Sequence, residues 1–459
     1  MNSSISNNNL KYNSYNSYNP QEKFMRLAIS QAKKAGAWTH PNPQVGAVIV
    51  SSVKSGEKIL ALGYHHNYGN LHAERDALKN AFDNGIDVKD GTIYVTLEPC
   101  CHFGKQPPCT QAIIESGIKN VVIGSRDPNP LVNGKGVKIL EDAGINVIQD
   151  FLRDECDEIN RIFFHFIKFK TPYVIVKYAI SADGETSCAN GNSKWITGEL
   201  ARENVHKTRS NVMGVMTGIN TVLKDNPLLN VRLDDEADKT DCLTAKSDAF
   251  VAETDAYSTE TCGLANKTEN SMQEPAKFVQ ETEKFSSAEN SLREQKYFQP
   301  ARIICDSSLK IPMESQIVKT AKIFPVIVAC KKNLTVAEIS KKNELEKKGI
   351  CVLQIEERLG QNSNVSELNL EDLLLKLAQK GIDSVLVESG GVLNGSLFFE
   401  KNLVNEVHVY VGAQIFGNKD NLVHSPVQKK GVDFPKDSIK LSKPKIEFFG
   451  DDVLLKYFL

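Results

Sequence analysis

Residues 92–109 read TIYVTLEPCCHFGKQPPC, a strand-like run that leads into a proline and spaced cysteines. The first six of these residues are mostly β-branched, aromatic or aliphatic, which is typical of a buried strand. Similar short runs occur at 45–50, 59–65 and 120–125, and helical stretches are predicted at 73–84 and 110–117. Because strands that alternate with helices form a sheet covered on its faces, residues 21–150 are predicted to form an α/β domain.

Three potential metal ligands lie at the ends of these elements: His72, Cys100 and Cys109. One imidazole and two thiolates suit zinc and leave its fourth tetrahedral position open to water, as in catalytic rather than structural sites. Zinc lowers the pKa of such a water toward ~7. Glu74, at the start of a predicted helix, can carry a proton from water to the ring nitrogen and the departing amine. The pattern predicts a zinc-dependent deaminase acting on a nitrogen heterocycle.

The same residues leave three alternatives open. Cys101 or His102 can complete a closed, structural zinc site. A nucleic-acid base deaminase shares the chemistry, but it calls for a basic groove or aromatic platforms that the sequence does not clearly show. A non-enzymatic, zinc-stabilised binding module is the third alternative, and it predicts that Glu74→Gln leaves all function intact.

Composition narrows the class of protein. The chain has 459 residues, of which 41% are hydrophobic and 24% charged, as in soluble globular proteins of two or three domains. A formal net charge of −2 does not indicate the basic surface that a nucleic-acid partner would require. No apolar run reaches the roughly 18 residues of a membrane span. Most of the ten cysteines are scattered, which favours reduced thiols and a cytoplasmic location.

Further motifs follow one another in the N-terminal half: PNPQVG at 41–46, GYH at 63–65, HAE at 72–74, TLEPC at 96–100, PPC at 107–109, DPNP at 127–130 and GKG at 134–136. In order and spacing they resemble the N-terminal half of the bifunctional riboflavin-biosynthesis deaminase–reductase family, which also has a long loop between its two cysteines. The resemblance implies a cytidine-deaminase-like α/β/α domain in which His72, Cys100 and Cys109 bind one Zn²⁺. It also implies that Glu74 is the proton donor and that Asn42 contacts the pyrimidine. Cys101 departs from the small polar residue common in the family.

The C-terminal half carries no Gly-x-Gly-x-x-Gly dinucleotide motif. It contains KYAISADG at 177–184, SKWIT at 193–197 and a glycine-rich turn after a strand, ESGGVLNGS, at 388–396. These segments resemble the reductase domain of the same family. That domain is similar in fold to dihydrofolate reductase, an α/β protein that binds its nicotinamide cofactor without the glycine motif.

The resemblance implies two sets of contacts in this half. NADPH is expected to contact Ala179, Trp195, Thr221, Asp225, Ser307, Gly390, Gly391, Val392, Leu393, Asn394, Gly395 and Ser396. The substrate is expected to contact Ser193, Arg209, Leu229, Arg232 and Glu388. Arginine suits a phosphorylated sugar because its planar guanidinium grips phosphate with two hydrogen bonds. No proton donor for the reduction stands out in the sequence.

The predicted organisation is a disordered tail at 1–20, a zinc deaminase domain at 21–150, a linker at 151–171 and a reductase domain at 172–459. A long acidic insertion at about 233–298 is predicted to be disordered within the reductase domain. The resemblance implies zinc-dependent hydrolytic deamination of 2,5-diamino-6-ribosylamino-4(3H)-pyrimidinone 5′-phosphate. NADPH-dependent reduction then gives 5-amino-6-(5-phosphoribitylamino)uracil. A deaminase with an inactive reductase-like half is the alternative, and a homo-oligomer without membrane or nucleic-acid partners is expected.

Overall fold

The computed structural model describes residues 18–52, 56–104, 106–129, 132, 134–233, 297–359, 366–399, 403–417, 425–428 and 431–459. The chain divides into two compact units, Met1–Lys170 and Thr171–Leu459. Most of the predicted disordered tail lies outside the described residues. At its end, however, Tyr18 is buried and its hydroxyl donates to Glu57 Oε1 at 2.8 Å. Tyr18 therefore belongs to the core of the first unit, although it lies within the predicted tail.

The first unit contains a five-stranded mixed sheet. Its strands are β1 (Gly46–Val50), β2 (Ile59–Tyr64), β3 (Thr92–Leu97), β4 (Asn120–Ser125) and β5 (Asn146–Ile148). They lie in the order β2-β1-β3-β4-β5. Strand β1 is antiparallel to both of its neighbours, whereas β3, β4 and β5 are parallel.

Helices cover both faces of this sheet. Helix α1 (Glu22–Ala32) packs on the face that carries Val48 and Tyr94. Alternate residues of the strands point to the other face, where Ile49 belongs to a second cluster. That face is covered by α2 (Ala73–Asp83), α3 (Cys109–Glu115) and α4 (Lys135–Asp142). The predicted α/β/α arrangement is therefore confirmed.

The segment predicted as a linker, 151–171, is mostly helical. It forms α5 (Arg153–Ile159) and α6 (Arg161–Phe169). Cys156 of α5 is buried in the cluster beneath α1, and Phe163 of α6 is buried in the cluster on the opposite face. The linker prediction was wrong because these apolar side chains, spaced for helices, complete the core of the first unit.

Gly46 is expected to tolerate no side chain. A Cβ at this position would lie 2.0 Å from the Ala28 carbonyl oxygen of α1, a backbone atom that cannot move independently. Forcing such a contact in a packed core costs about 1–3 kcal/mol or more. Denaturant unfolding of Gly46→Ala should show this loss. Gly104→Ala is the matched control, because its Cβ would meet no heavy atom nearer than 4.0 Å, and an equal loss in both variants would contradict the packing argument.

The second unit contains a nine-stranded sheet. Its parallel strands are β6 (Tyr173–Ser181), β7 (Gly214–Gly218), β8 (Ala301–Cys305), β9 (Val326–Lys331), β10 (Cys351–Ile355), β13 (Ser384–Glu388) and β14 (Glu406–Gly412). The antiparallel strands β15 (Lys445–Phe449) and β16 (Asp452–Phe458) extend it in the order β10-β9-β8-β7-β13-β6-β14-β16-β15. A separate hairpin joins β11 (Glu357–Leu359) to β12 (Ser366–Leu368).

The described part of the second unit has one 3₁₀ helix (Pro435–Asp437) and six α-helices: α7 (Glu199–Ser210), α8 (Ile219–Asp225), α9 (Gln316–Lys319), α10 (Val336–Lys347), α11 (Leu370–Gln379) and α12 (Gly391–Phe399). Helix α12 follows β13 directly, so its first turn lies at the carboxyl edge of the parallel strands. Ligands of open α/β sheets bind at this edge. No helix in the described part of the chain has the length and apolarity to cross a bilayer.

The predicted acidic insertion lies outside the described residues between 234 and 296. Its two flanks are held together. The Val231 N–H donates to Gln299 Oε1 at 2.9 Å, and Gln299 Nε2 donates to the Val231 carbonyl at 3.1 Å. We call this pair the Val231–Gln299 clamp; it fixes the chain on both sides of the insertion next to β8.

Candidate active sites

Three ligand atoms converge in the first unit. Cys100 follows β3, His72 immediately precedes α2, and Cys109 is the first residue of α3. The His72 Nδ1 atom lies 3.5 Å from Cys100 Sγ and 3.4 Å from Cys109 Sγ. Zinc bonds of about 2.3 Å to sulfur and about 2.0–2.1 Å to nitrogen place tetrahedral ligand atoms roughly 3.5 Å apart. The three side chains therefore fit a zinc ion in their present positions.

The described residues contain no fourth ligand for this group. The three ligand atoms all lie within 4.8 Å of one another, and neither Cys101 nor His102 belongs to the group in the part of the chain that is described. The arrangement favours an open zinc site over the closed alternative.

One thiol of the pair, Cys100, is prepared for a cation, whereas the hydrogen bond to Cys100 and burial raise the pKa of the Cys109 thiol, which releases its proton on metal binding. Hydrogen bonding to Cys109 and to the His72 imidazole lowers the pKa of the Cys100 thiol to about 4. The Cys109 backbone N–H also donates to Cys100 Sγ at 3.4 Å. A thiolate is the form in which cysteine binds metals, so this site carries the negative charge that zinc requires.

Glu74 lies in the first turn of α2 and is 3% exposed. Burial raises the pKa of its carboxyl to about 7, and the charge of Cys100 raises it further. A bound dication opposes that shift because it favours the carboxylate. A buried carboxyl beside a metal position is suited to accept a proton and return it during one turnover.

Several side chains surround the ligands. The His65 ring packs edge-on against the His72 ring, with 5.4 Å between centroids, and its Nδ1 lies 2.9 Å from the Leu71 carbonyl. Asn42 Nδ2 lies 3.5 Å from His65 Nε2, which places the predicted pyrimidine contact near the ligand group. Arg75 donates to the carbonyls of Pro107 and Pro108 at 3.0 and 2.8 Å, and so fixes the loop that leads into Cys109.

The second unit has a cavity of about 920 Å³ at the carboxyl edge of its parallel strands. The cavity is lined by most of the residues that were predicted to contact the cofactor or the substrate: Ala179, Ser193, Trp195, Arg209, Thr221, Asp225, Arg232, Ser307, Glu388, Gly390, Gly391, Val392, Leu393 and Ser396. Leu229, Asn394 and Gly395 are not among the lining residues. Leu229 is buried, and the Asn394 amide donates to the carbonyls of Ser389 and Pro426, so it holds the turn rather than facing the cavity.

Arg209 and Glu388, both predicted to contact the substrate, bind each other. Arg209 Nε donates to Glu388 Oε1 at 2.5 Å, and Nη2 donates to Oε2 at 3.1 Å. Glu388 is largely buried, with 13% of its side chain exposed, but the attraction of Arg209 and Lys177 outweighs the effect of burial and lowers its pKa to about 2. The Arg209 guanidinium is therefore already paired with a carboxylate, whereas Arg232 forms no ion pair with a carboxylate among the described residues.

Lys177 and His206 also line the cavity, but neither was predicted from the sequence as a site residue. The Lys177 side chain sits next to Glu388 in the strand register. Burial lowers its pKa, and Glu388 opposes this shift. In the sequence, nothing distinguishes a single lysine in a strand or a single histidine in a helix from a residue without a function. Lys177 has one feature that could have indicated a functional role. It is a charged residue midway along a buried parallel strand, where an apolar residue is expected.

The second unit is expected to lose stability as the pH falls from about 6.5 toward 4. Burial and the nearby Arg209 and Arg232 lower the pKa of His206 from 6.5 to about 4, although Glu388 opposes the shift. In this range the unfolded chain binds a proton that the folded chain does not, which favours unfolding. The melting temperature of His206→Gln should therefore fall less than that of the wild type between pH 6.5 and 4.5. An equal fall in both proteins would contradict a neutral, partly buried ring in the folded state.

Comparisons with known proteins match each of the two units. The family model of the cytidine and deoxycytidylate deaminase zinc-binding region matches residues 18–125. The model of the RibD C-terminal domain matches residues 172–455. Each unit is thus matched by a model of its own, and nothing in the comparisons favours an inactive C-terminal half.

Similar proteins cover nearly the whole chain. The riboflavin biosynthesis protein RibD of Actinobacillus pleuropneumoniae is 39% identical over 95% of this chain and 94% of its own length. RibD of Aquifex aeolicus is 35% identical over 95% and 97%. The solved structure of Acinetobacter baumannii RibD is 29% identical, with a TM-score of 0.68 over 95% of this chain and 98% of that chain.

A solved Thermotoga maritima protein, described as a diaminohydroxyphosphoribosylaminopyrimidine deaminase and 5-amino-6-(5-phosphoribosylamino)uracil reductase, has the same TM-score of 0.68 at 29% identity and covers 95% of this chain. The identity, the coverage and the two domain matches agree. The chain belongs to the RibD family of bifunctional riboflavin-biosynthesis enzymes, which join a deaminase and a reductase in one polypeptide.

Proposed function

We propose that the first unit hydrolyses an amino group from the pyrimidine of 2,5-diamino-6-ribosylamino-4(3H)-pyrimidinone 5′-phosphate. The observation that carries this proposal is the group of His72, Cys100 and Cys109 beside the buried carboxyl of Glu74. Zinc held by the three ligands supplies Lewis-acid activation of water at neutral pH. The ligand set and its spacing support zinc rather than magnesium or calcium, which prefer oxygen ligands.

The residues around the metal position have separate roles in this proposal. Glu74 takes a proton from the attacking water and delivers it to the ring nitrogen and then to the departing ammonia. The Asn42 amide, with one donor and one acceptor end, hydrogen-bonds the pyrimidine edge. Arg75 keeps the Pro107–Pro108 loop, and with it Cys109, in place.

The second unit is proposed to reduce the deaminated product with NADPH. Where a Cβ would stand on Gly390 there is open space, and α12 begins at the next residue. The N–H groups of a helix start attract phosphate, so this turn fits the pyrophosphate of a dinucleotide. The cavity, about 920 Å³, falls within the usual range for cofactor and substrate sites. NADPH supplies the hydride when it is bound.

Lys177 is the proposed proton donor of this reaction. Reduction places a hydride on the anomeric carbon, breaks its bond to the ring oxygen and requires one proton on that oxygen. The Lys177 ammonium is partly buried at the cavity wall beside Glu388, and such lysines take part in proton transfer because burial lowers their pKa. Arg232 is the proposed partner of the substrate phosphate, because Arg209 is already engaged by Glu388.

Two assays on the purified full-length chain test both proposals together with metal analysis. With the pyrimidinone phosphate as substrate, ammonia should be released and one zinc ion per chain should be found. With the deaminated product supplied directly, NADPH should be oxidised. Absence of zinc, or zinc without ammonia release, would overturn the first proposal. A lack of NADPH oxidation would overturn the second.

A further inference from the structure

Helix α7 presents a row of polar side chains to the reductase cavity. Arg202, His206 and Arg209 are spaced by four and three residues, which puts them on one face of the helix, and all three line the cavity. The guanidinium of Arg202 lies over the Trp195 ring at 4.4 Å, and Arg209 is paired with Glu388. His206 is the member of this row that no part of the proposed reaction uses.

The His206 ring faces the segment that carries Arg232. Its Nδ1 accepts the backbone N–H of Arg232 at 3.1 Å. The Asn230 carbonyl also interacts with the ring, and it accepts from Arg209 Nη1 at 2.9 Å. Two residues of α7 therefore hold the backbone of residues 230–232.

The bond to Arg232 fixes the form of the imidazole. A ring nitrogen that accepts a hydrogen bond carries no proton, so the hydrogen of the neutral ring lies on Nε2. Burial and the two nearby arginines lower the pKa of His206 to about 4, which keeps the ring neutral in neutral solution. Protonation of Nδ1 would remove the acceptor that the Arg232 N–H uses.

Arg232 depends on this backbone contact for its position. Its side chain is exposed and has one described hydrogen bond to a side chain, from Nη1 to Asn230 Oδ1 at 2.8 Å. A long, exposed side chain holds an anion in one place only when its own backbone is fixed, since otherwise binding must also order the segment.

We propose that His206 is a positioning residue of the reductase site, which sets Arg232 to receive the phosphate of the ribosyl substrate. The proposal rests on the reductase function proposed above. It names the phosphorylated sugar end of the substrate as the group recognised through this pair. His206 itself touches no reacting atom in this scheme.

The test uses His206→Leu, His206→Gln and Arg232→Ala in the full-length protein. Leucine cannot accept the Arg232 N–H, whereas glutamine offers an amide oxygen as acceptor and an amide hydrogen as donor. His206→Leu should raise KM for the deaminated substrate about tenfold with a smaller change in kcat, and should weaken binding of ribose 5-phosphate measured by calorimetry. His206→Gln should restore most of both. KM for NADPH and ammonia release should remain at wild-type values in both His206 variants.

The decisive measurement is the double variant. Because His206 acts through Arg232, adding His206→Leu to Arg232→Ala should cause little further loss in ribose 5-phosphate affinity. Additive losses, or a glutamine variant as weak as the leucine variant, would overturn the proposal. Wild-type protein that does not oxidise NADPH at all would instead refute the reductase function, so the two failures are distinguishable.

Discussion

Glu74→Gln should release ammonia between about 10² and 10⁴-fold more slowly than the wild type, the range for loss of a general acid–base group. The glutamine amide has nearly the shape of the carboxyl, but it cannot accept a proton from water and return it to the leaving amine. The zinc ligands are unchanged in this variant, so the metal content should stay the same. Stopped ammonia assays and metal analysis of the same sample measure both quantities.

Glu115→Gln is the matched control for this variant, because Glu115 lies in α3 of the same unit and is exposed. It should release ammonia at the wild-type rate. His72→Ala should lose both the zinc and the hydrolysis, since one of three ligands is gone. A Glu74→Gln protein that keeps its zinc and its full rate would refute the deaminase mechanism and favour a zinc-stabilised binding module.

Lys177→Met should reduce the deaminated substrate about 10²–10⁴-fold more slowly while ammonia release continues at the wild-type rate. Methionine retains the length and apolar stem of lysine but has no proton to give. The charge of Glu388 is still compensated in this variant, because both of its carboxylate oxygens accept from Arg209. The expected signature is an accumulating deaminated intermediate, measured by chromatography alongside NADPH absorbance.

Lys376→Met is the control for the loss of a lysine charge. Lys376 lies on α11 and pairs with Asp372 outside the cavity lining, so NADPH oxidation should stay within about threefold of the wild type. Calorimetric binding of NADPH to Lys177→Met separates chemistry from binding. A variant that binds NADPH and reduces the substrate at the full rate would remove Lys177 from the proposed mechanism.

The metal-ligand group could be predicted from the sequence because its residues lie next to short, recognisable signals. A strand ends at Leu97 and a helix starts after His72, so the ligands occupy element ends whose positions local patterns predict. The residues that line the cavity of the second unit could be predicted only as a set. The pairing of Arg209 with Glu388 joins positions 179 residues apart, and no local pattern specifies which charges meet.

Two other features depend on tertiary packing. In the sequence, the residues of α5 and α6 look like a connecting segment. In the structure, their apolar side chains pack in the core of the first unit. The contact between the His206 ring and the Arg232 backbone N–H joins α7 to the segment that follows α8, and it exists only in the folded chain. Local sequence propensity predicts neither the packing of α5 and α6 nor the contact between His206 and Arg232.

The Val231–Gln299 clamp makes the sheet of the second unit independent of the length of chain between Val231 and Gln299. Because its paired hydrogen bonds anchor both flanks beside β8, the span between them can change in length or composition without pulling on the sheet. That position is accordingly a suitable insertion point, where a reporter domain or an affinity tag can be accommodated while the neighbouring Arg232 keeps its place.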